Sequence, residues 1–488
     1  MAKKKILLNA FNMNAVGHIN HGLWTHPRDR SAHYTDLDYW TSLAQTLERG
    51  KFDGIFLADI VGVYDVYQGG PQTPLRESVQ IPINDPSLIV PAMAHVTKHI
   101  GFGVTSNLTY EPPYLFARRM STLDHLTKGR VGWNIVTGYL DSAARGMGLA
   151  QQISHDDRYD RADDYMEVVY KLWEQSWEDD AVVRDRAARI FSHPDKVHRV
   201  KHDGPFYSID AIHLSEPSPQ RTPVLYQAGS SSRGVDFAAR HAECVFVGGQ
   251  NKLLTRSIVD DIRARAVSFG RAPDDIKIFA GITMVVGETE RAAQEKFEEY
   301  RRYASAEGGI AHFSSSTGID FSQYELDEPI SYVKTESMQS AVEAISKKSV
   351  SGVWTKRKVL EQMTLGGRAK PVVGSPQQIA DELVSWIDEA GVDGFNLTRT
   401  VMPESFEDFV NLVVPELQNR GVYKEDYDPA PTLREKLFGG GRARLPAVHA
   451  GARHRRSAQE GLQTSSQVSS QTGSQVGEQA DRPTTVQA

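Results

Sequence analysis

Cysteine is almost absent from this chain: Cys244 is the single one among 488 residues. An intrachain disulfide is excluded, and so is any metal site built from paired thiolates. Its surroundings, Glu243-Cys244-Val245-Phe246-Val247, are mostly apolar, which reads as a buried, inert thiol rather than a reactive one. Long hydrophobic runs are missing as well, and none reaches the length that spans a bilayer. The opening Met1-Ala2-Lys3-Lys4-Lys5 leads into too few apolar residues for a secretory signal. A cytoplasmic protein with no membrane partner is the expectation. An excess of positive charge is lacking too. The net charge of −7 speaks against a nucleic-acid partner, which calls for a basic stripe.

Several catalytic signatures are absent. No H-E-x-x-H is present, and His18-Ile19-Asn20-His21 finds no convincing further ligand set, so metal hydrolysis has little support and no metal is expected. There is no G-x-S-x-G elbow for a serine nucleophile. The nearest approach to a dinucleotide loop, Gly101-Phe102-Gly103-Val104-Thr105-Ser106, lacks the last glycine and lies inside an apolar run.

What the chain does have is alternation. Hydrophobic residues make up 40% and charged residues 24%, an ordinary balance for a large-cored enzyme. Strand-like runs at residues 6–11, 54–59, 100–106, 130–136, 223–227, 243–247, 276–286 and 393–397 are interleaved with amphipathic helical stretches. Eight such strands favour an α/β fold of the (β/α)8 TIM-barrel type, with a doubly wound sheet as runner-up. Long insertions follow several strands, at 138–153, 179–221 and 304–371, and are expected over the active face. The barrel is expected to occupy residues 1–440. The remainder, 441–488, opened by Gly439-Gly440-Gly441-Arg442 and dominated by Ser, Gln, Thr and Gly from Gln463 onward, reads as a disordered tail.

The stretch Ser121 to Thr137 combines a helix end, the Lys128-Gly129 stop, and the strand-like Val131, Trp133, Ile135 and Val136. Asn134 and Thr137 fall near the strand's C-terminal end, where barrels place their ligands. Asp59 and Thr105 end strands in the same way. Gln227-Ala228-Gly229-Ser230-Ser231-Ser232-Arg233 follows another strand and opens a helix; small residues, serine hydroxyls and Arg233 suit a phosphate, with a plain serine cap as the alternative. His155-Asp156-Asp157-Arg158-Tyr159 heads a further helix. Asp156 or Asp157 is its expected cap, and His155 and Tyr159 share a face.

These segments together resemble the bacterial luciferase-like flavin-dependent monooxygenases. The likeness is to the branch of nitrilotriacetate, dibenzothiophene-sulfone, long-chain alkane and dimethyl-sulfide monooxygenases. It is carried by Asn9-Ala10-Phe11, His21-Gly22-Leu23-Trp24, Gly50-Lys51-Phe52-Asp53, Phe56-Leu57-Ala58-Asp59, Ser121 to Thr137, His155 to Tyr159, Pro217-Ser218-Pro219-Gln220, Gln227-Ala228-Gly229 and Val414-Pro415-Glu416-Leu417.

The resemblance implies a TIM barrel that uses reduced flavin mononucleotide (FMN) as a diffusible co-substrate. A separate flavin reductase delivers it, and molecular oxygen is activated as a flavin C4a-hydroperoxide. It further implies a small-molecule substrate and a homo-oligomer. By position, Asp59, Thr105, His155, Tyr159, Ser230 and Ser231 match flavin contacts. His18, Tyr64, Gln80, Asn134 and His312 match the substrate pocket of the alkane enzyme, and His18, Tyr64, Asn134 and His312 are taken as catalytic. Ala15 and Tyr139 stand where that enzyme has cysteine and histidine, which turns the expectation away from long-chain alkanes. Trp354-Thr355-Lys356 through Gly366-Gly367 look more like the dimethyl-sulfide enzyme, pointing to a small sulfur-containing or other xenobiotic compound. The alternative is a non-catalytic flavin-binding or a deazaflavin-dependent barrel.

Overall fold

The structure, a computed structural model, describes residues 4–229, 231–330, 337, 354–367 and 369–456. Eight parallel strands form its centre: β1 (Leu7–Met13), β2 (Gly54–Ala58), β3 (Gly101–Asn107), β4 (Val131–Val136), β5 (Val224–Gln227), β6 (Cys244–Val247), β7 (Lys277–Val286) and β8 (Gly394–Thr398). Each pairs with the next, and β8 returns to β1 with Leu7 opposite Gly394 and Phe11 opposite Thr398. The sheet is therefore a closed (β/α)8 barrel, as the alternation predicts. All strands finish at one face, so whatever their last residues carry converges there.

The strands are apolar on both sides because both sides are covered. Outside, α1 (Leu37–Arg49) lays down Trp40, Leu43, Ala44 and Leu47, and α2 (Pro113–Leu126) adds Phe116, Ala117, Met120 and Leu123. Inside, Phe11, Phe56, Tyr226 and Phe279 fill the barrel, and the buried Cys244 joins them. The three helices that serve the upper face are α3 (His155–Tyr170), α4 (Ser232–His241) and α5 (Ala306–Thr317). The lower end is plugged by α6 (Leu433–Phe438), whose Leu433 and Leu437 enter the interior cluster. A side chain at Gly101 would meet the Leu433 methyl at 2.5 Å, so the plug leucine packs directly against this strand start. Arg434 beside the plug is buried and pairs with Glu243 at 2.7 Å.

Three expectations need correction. The tail does not begin at 441: Leu445 and Ala452 join the main core, and His449 is buried. Arg455 reaches Glu174 at 3.0 Å and His454 reaches Glu167 at 3.0 Å. The segment's arginines and histidines disguised it as solvent-loving, but they answer carboxylates on α3 and its continuation. Residues 457–488 lie outside the described residues. Second, the excursion at 179–221 does not cover the active face. It leaves the end of a helix and feeds the start of β5, so its two hairpins (Val182–Asp185 with Ile190–Ser192, Val200–Asp203 with Ser208–Ala211) lie on the flank. The Tyr114 hydroxyl on α2 donates to the Ile212 carbonyl at 3.0 Å. Third, α3 is capped by Ser154, which accepts from the Asp157 amide, while Asp156 and Asp157 fill the first turn. Among the described residues, no helix is long and apolar enough to cross a membrane.

Candidate functional site

The upper ends of β2 to β5 enclose a cavity of about 240 Å³. Asp59 follows β2, Thr105 and Asn107 end β3, Ile135 and Val136 end β4, and Gln227 ends β5. The chain after β4 adds Gly138 and Tyr139, and the chain after β5 adds Gly229 and Ser231. Helix α3 closes one side with His155, Arg158 and Tyr159, whose spacing puts all three on one face.

The β5–α4 turn explains its own composition. Ser231 caps α4, its hydroxyl accepting from the Gly234 amide at 3.0 Å. A side chain at Gly229 would sit 2.2 Å from Gln227 Nε2, 2.9 Å from the Gly234 Cα and 2.9 Å from the Tyr159 hydroxyl. Only glycine lets the turn fold down onto Tyr159. Burial keeps the Tyr159 phenol protonated, against the opposing pull of its hydrogen bond with Ser231 and nearby arginines. Among the described residues, Gln227 Oε1 and Asn134 Oδ1 are buried without a hydrogen-bond partner. Asn134 Nδ2 donates to the Thr105 hydroxyl at 2.8 Å, which ties β4 to the cavity wall. Desolvation, with Asp85 nearby, lifts the Asp59 carboxyl to about 7.

Asp59, Thr105, His155, Tyr159 and Ser231 thus share one cavity; Ser230 lies outside the described residues. Arg233 does not line it, because Asp160 and Asp163 hold its guanidinium at 3.0 and 2.6 Å. The lining arginine is Arg158, next to Tyr159 in sequence and on the inner face of α3. Arg158 and Gln227 both stand in segments singled out by the sequence. Their side-chain roles escaped it because only the tertiary fold turns them inward.

Of the second group of expected residues, His18, Tyr64, Gln80 and His312 form a dense cluster beside the cavity, while Asn134 stands apart on β4 against Thr105. The Tyr64 ring stacks on His312 with centroids 5.0 Å apart. His312 Nδ1 lies 2.9 Å from His21 Nε2. Gln80 Nε2 donates to the His18 carbonyl at 3.1 Å, so its Oε1 faces Tyr64 and accepts that hydroxyl's proton at 2.8 Å. Tyr139, 3.1 Å from the Tyr64 oxygen, must then be the donor of that bond. Tyr139 also lines the cavity, so it joins the two groups. His18 packs edge-on against Phe11, at 4.5 Å between ring centroids. Burial, reinforced by the Arg399 charge, pushes His18 well below its ordinary value and His21 down to about 3, so both rings are neutral at physiological pH.

Residues 19–394 match the family model of luciferase-like monooxygenases. The chain is 52% identical to the long-chain alkane monooxygenase of Geobacillus thermodenitrificans over 93% of this chain and 98% of that one. It is 49% identical to the dimethyl-sulfide monooxygenase of Hyphomicrobium sulfonivorans over 93% and 94%. Among solved structures, that of a long-chain alkane monooxygenase superposes with a TM-score of 0.86, covering 93% of this chain and all of the other. A riboflavin lyase solved with modified FMN and riboflavin gives 0.88 at 39% identity, covering 93% and 100%. Strand order, the cavity at the upper face and these matches along nearly the whole chain agree: the protein belongs to the luciferase-like, flavin-dependent monooxygenases.

Proposed function

We propose that the protein is the oxygenase of a two-component system. Reduced FMN arrives from a separate flavin reductase, and a small organic molecule receives one atom of dioxygen. The observation that carries this reading is the convergence of Asp59, Thr105, His155, Tyr159 and Ser231, from four separate segments, on one cavity at the upper face of the barrel.

The residues fit FMN. Gly229 lets the backbone approach, and the Ser231-capped start of α4 offers amides and a hydroxyl to a phosphate. Arg158 adds positive charge. The unpartnered Gln227 Oε1 suits a ribityl hydroxyl. Val61, Ile135, Val136 and Leu140 give apolar walls for a planar ring, and Asp59 and Asn107 stand at its polar rim. Bound reduced flavin supplies the electrons that activate dioxygen, giving one oxygen atom to the substrate and one to water.

The chain's own contribution is placement and exclusion of water. On this reading His18, Tyr64, Asn134 and His312 work at the substrate side. The Tyr139–Tyr64–Gln80 series fixes the direction of each hydroxyl, and His18 and His21 present neutral rings, with the Arg399 charge behind them. That character suits a small uncharged molecule, including sulfur compounds, better than a polycarboxylate. Alkane and dimethyl-sulfide substrates are properties of the named relatives, and the change to Ala15 and Tyr139 favours the smaller class.

Oxygen uptake tests the reading. Turnover of small sulfides or related compounds is expected only when reduced FMN, or NADH together with any flavin reductase, is supplied. Oxygenation driven by NADH without a reductase would overturn it. Turnover of a reduced deazaflavin without oxygen would favour the alternative cofactor.

A further inference from the structure

A second cavity, of about 270 Å³, adjoins the first. Asp59, Val61, Thr105 and Asn107 line both, so these four side chains are the wall between them. The outer cavity mixes apolar residues with a set of polar and charged side chains. Asp85 accepts from the Ser87 hydroxyl at 2.6 Å, and Glu111 accepts from Ser106 at 3.0 Å while pairing with Arg119. Met147, half exposed, stands at its mouth. At roughly 30 Å³ per water molecule, the space is ample for a hydrogen-bonded chain of waters.

In that wall Asp59 is the only side chain that can take up or release a proton near neutral pH; valine, threonine and asparagine cannot. From the outer side it faces Asp85, Glu111, Arg119 and Tyr110. From the inner side it faces His155, Arg158, Tyr139 and Tyr159. Desolvation and the Asp85 charge disfavour its ionised form, placing its titration at about 7, where a proton carrier works best in both directions.

We propose that Asp59 carries protons between the two cavities, taking them from water in the outer one and delivering them to the flavin cavity. The inference rests on the flavin reading of the inner cavity. The step moves no electrons. The carboxyl O–H breaks as its proton passes to an oxygen or nitrogen acceptor inside, and the carboxylate takes another from outer water. The site thereby exchanges protons without opening its oxygen chemistry to bulk solvent.

Calorimetry of oxidised FMN binding to the full chain near pH 7, in buffers of different ionisation enthalpy, reads the protons exchanged on binding. The flavin phosphate exchanges protons with either protein near this pH, so the signature is the difference: the unaltered protein and Asp59→Asn, which keeps the side-chain shape, should differ by a fraction of a proton. Met147→Trp plugs the mouth from an exposed position. It should change the FMN dissociation constant less than about twofold, while proton exchange read with an indicator dye slows at least about tenfold. Proton exchange of equal size in Asp59→Asn and the unaltered protein would overturn the proposal. So would a loss of FMN affinity of about tenfold in Met147→Trp, which would make the outer cavity part of the flavin seat. Failure of the unaltered protein to bind FMN is a separate result: it defeats the cofactor reading itself, and this inference with it.

Discussion

The upper-face cavity and the histidine–tyrosine cluster lie side by side but distribute their polar groups differently. The cavity leaves groups for a visitor: Gln227 Oε1 is buried without a partner among the described residues, and Gly229 holds back a side chain. The cluster links most of its polar groups in series, although His18 Nδ1 and His21 Nδ1 are also buried without a partner among the described residues. Tyr139 donates to Tyr64, Tyr64 to Gln80, and Gln80 to the His18 backbone. One region is built to be completed by a ligand and the other to hold a fixed pattern of donors and acceptors. Binding and turnover should therefore separate under mutation.

Acid is the harshest test of the contrast, because it attacks the cluster. His21 titrates at about 3 in the folded chain against 6.5 as its ordinary value. Between those values the unfolded chain binds a proton that the folded chain refuses. The stability from the neutral ring is complete above about 6.5 and is lost as the pH falls. At pH 4 the loss from this ring is up to about 3 kcal/mol, with His18 acting in the same direction. The thermal midpoint should drop steeply from pH 6.5 to 4, and His21→Asn should flatten that slope. An unchanged slope would mean the ring is not held neutral by burial.

On the cavity side, Gly229→Ala forces a β-carbon onto Gln227 and the Gly234 backbone. FMN affinity should fall at least about 100-fold, or about 2.7 kcal/mol, and a titration within tenfold of the parent would show that the turn is not the phosphate seat. Ser231→Ala should cost about tenfold for FMN, the lower end for a hydrogen bond to a charged group. Riboflavin, without the phosphate, should lose much less. Equal losses would make Ser231 a helix cap and nothing more.

Tyr64→Phe sharpens the comparison from the other side. It removes the middle hydroxyl of the series and leaves the ring on His312. Turnover should fall about tenfold, while FMN affinity stays within about twofold. A matching fall in affinity would merge the two regions into one. The smallest effect is expected from truncation after Arg456, which should move the thermal midpoint by less than about 1 °C. Truncation after Arg444 removes the buried Leu445, His449 and Ala452 and should lower it by several degrees.

The barrel was legible because its signals are local. Each strand is a short apolar run bounded by turn residues, and those runs reappear as β1 to β8 close to their expected bounds. The shared cavity was legible through family wording, which singled out Asp59, Thr105, His155, Tyr159 and Ser231, all of which line it. Relations at long range were not. Arg233 sits in a phosphate-like motif, yet Asp160 and Asp163 from another helix claim its charge. Arg158 looks like one more charge in a charged run until α3 is docked. Residues 441–456 have the composition of a tail, and only Glu167, Glu174 and the surface around Tyr170 make them part of the body. Composition reports what a segment prefers in water, and it is silent about a matching surface more than 200 residues away.

The closure of β8 on β1 bears on how the protein is made. Asn9 donates to Asn396 at 3.0 Å across a separation of 387 residues. The first strand to leave the ribosome therefore waits for nearly the whole polypeptide before it gains its second neighbour. The plug at the lower end, α6, is synthesised later still. Until then the inward-facing Phe11 and Phe56 have no finished interior around them, so the unfinished chain exposes apolar surface of the kind that promotes aggregation. Yield should respond more strongly to growth temperature than the stability of the finished enzyme would indicate.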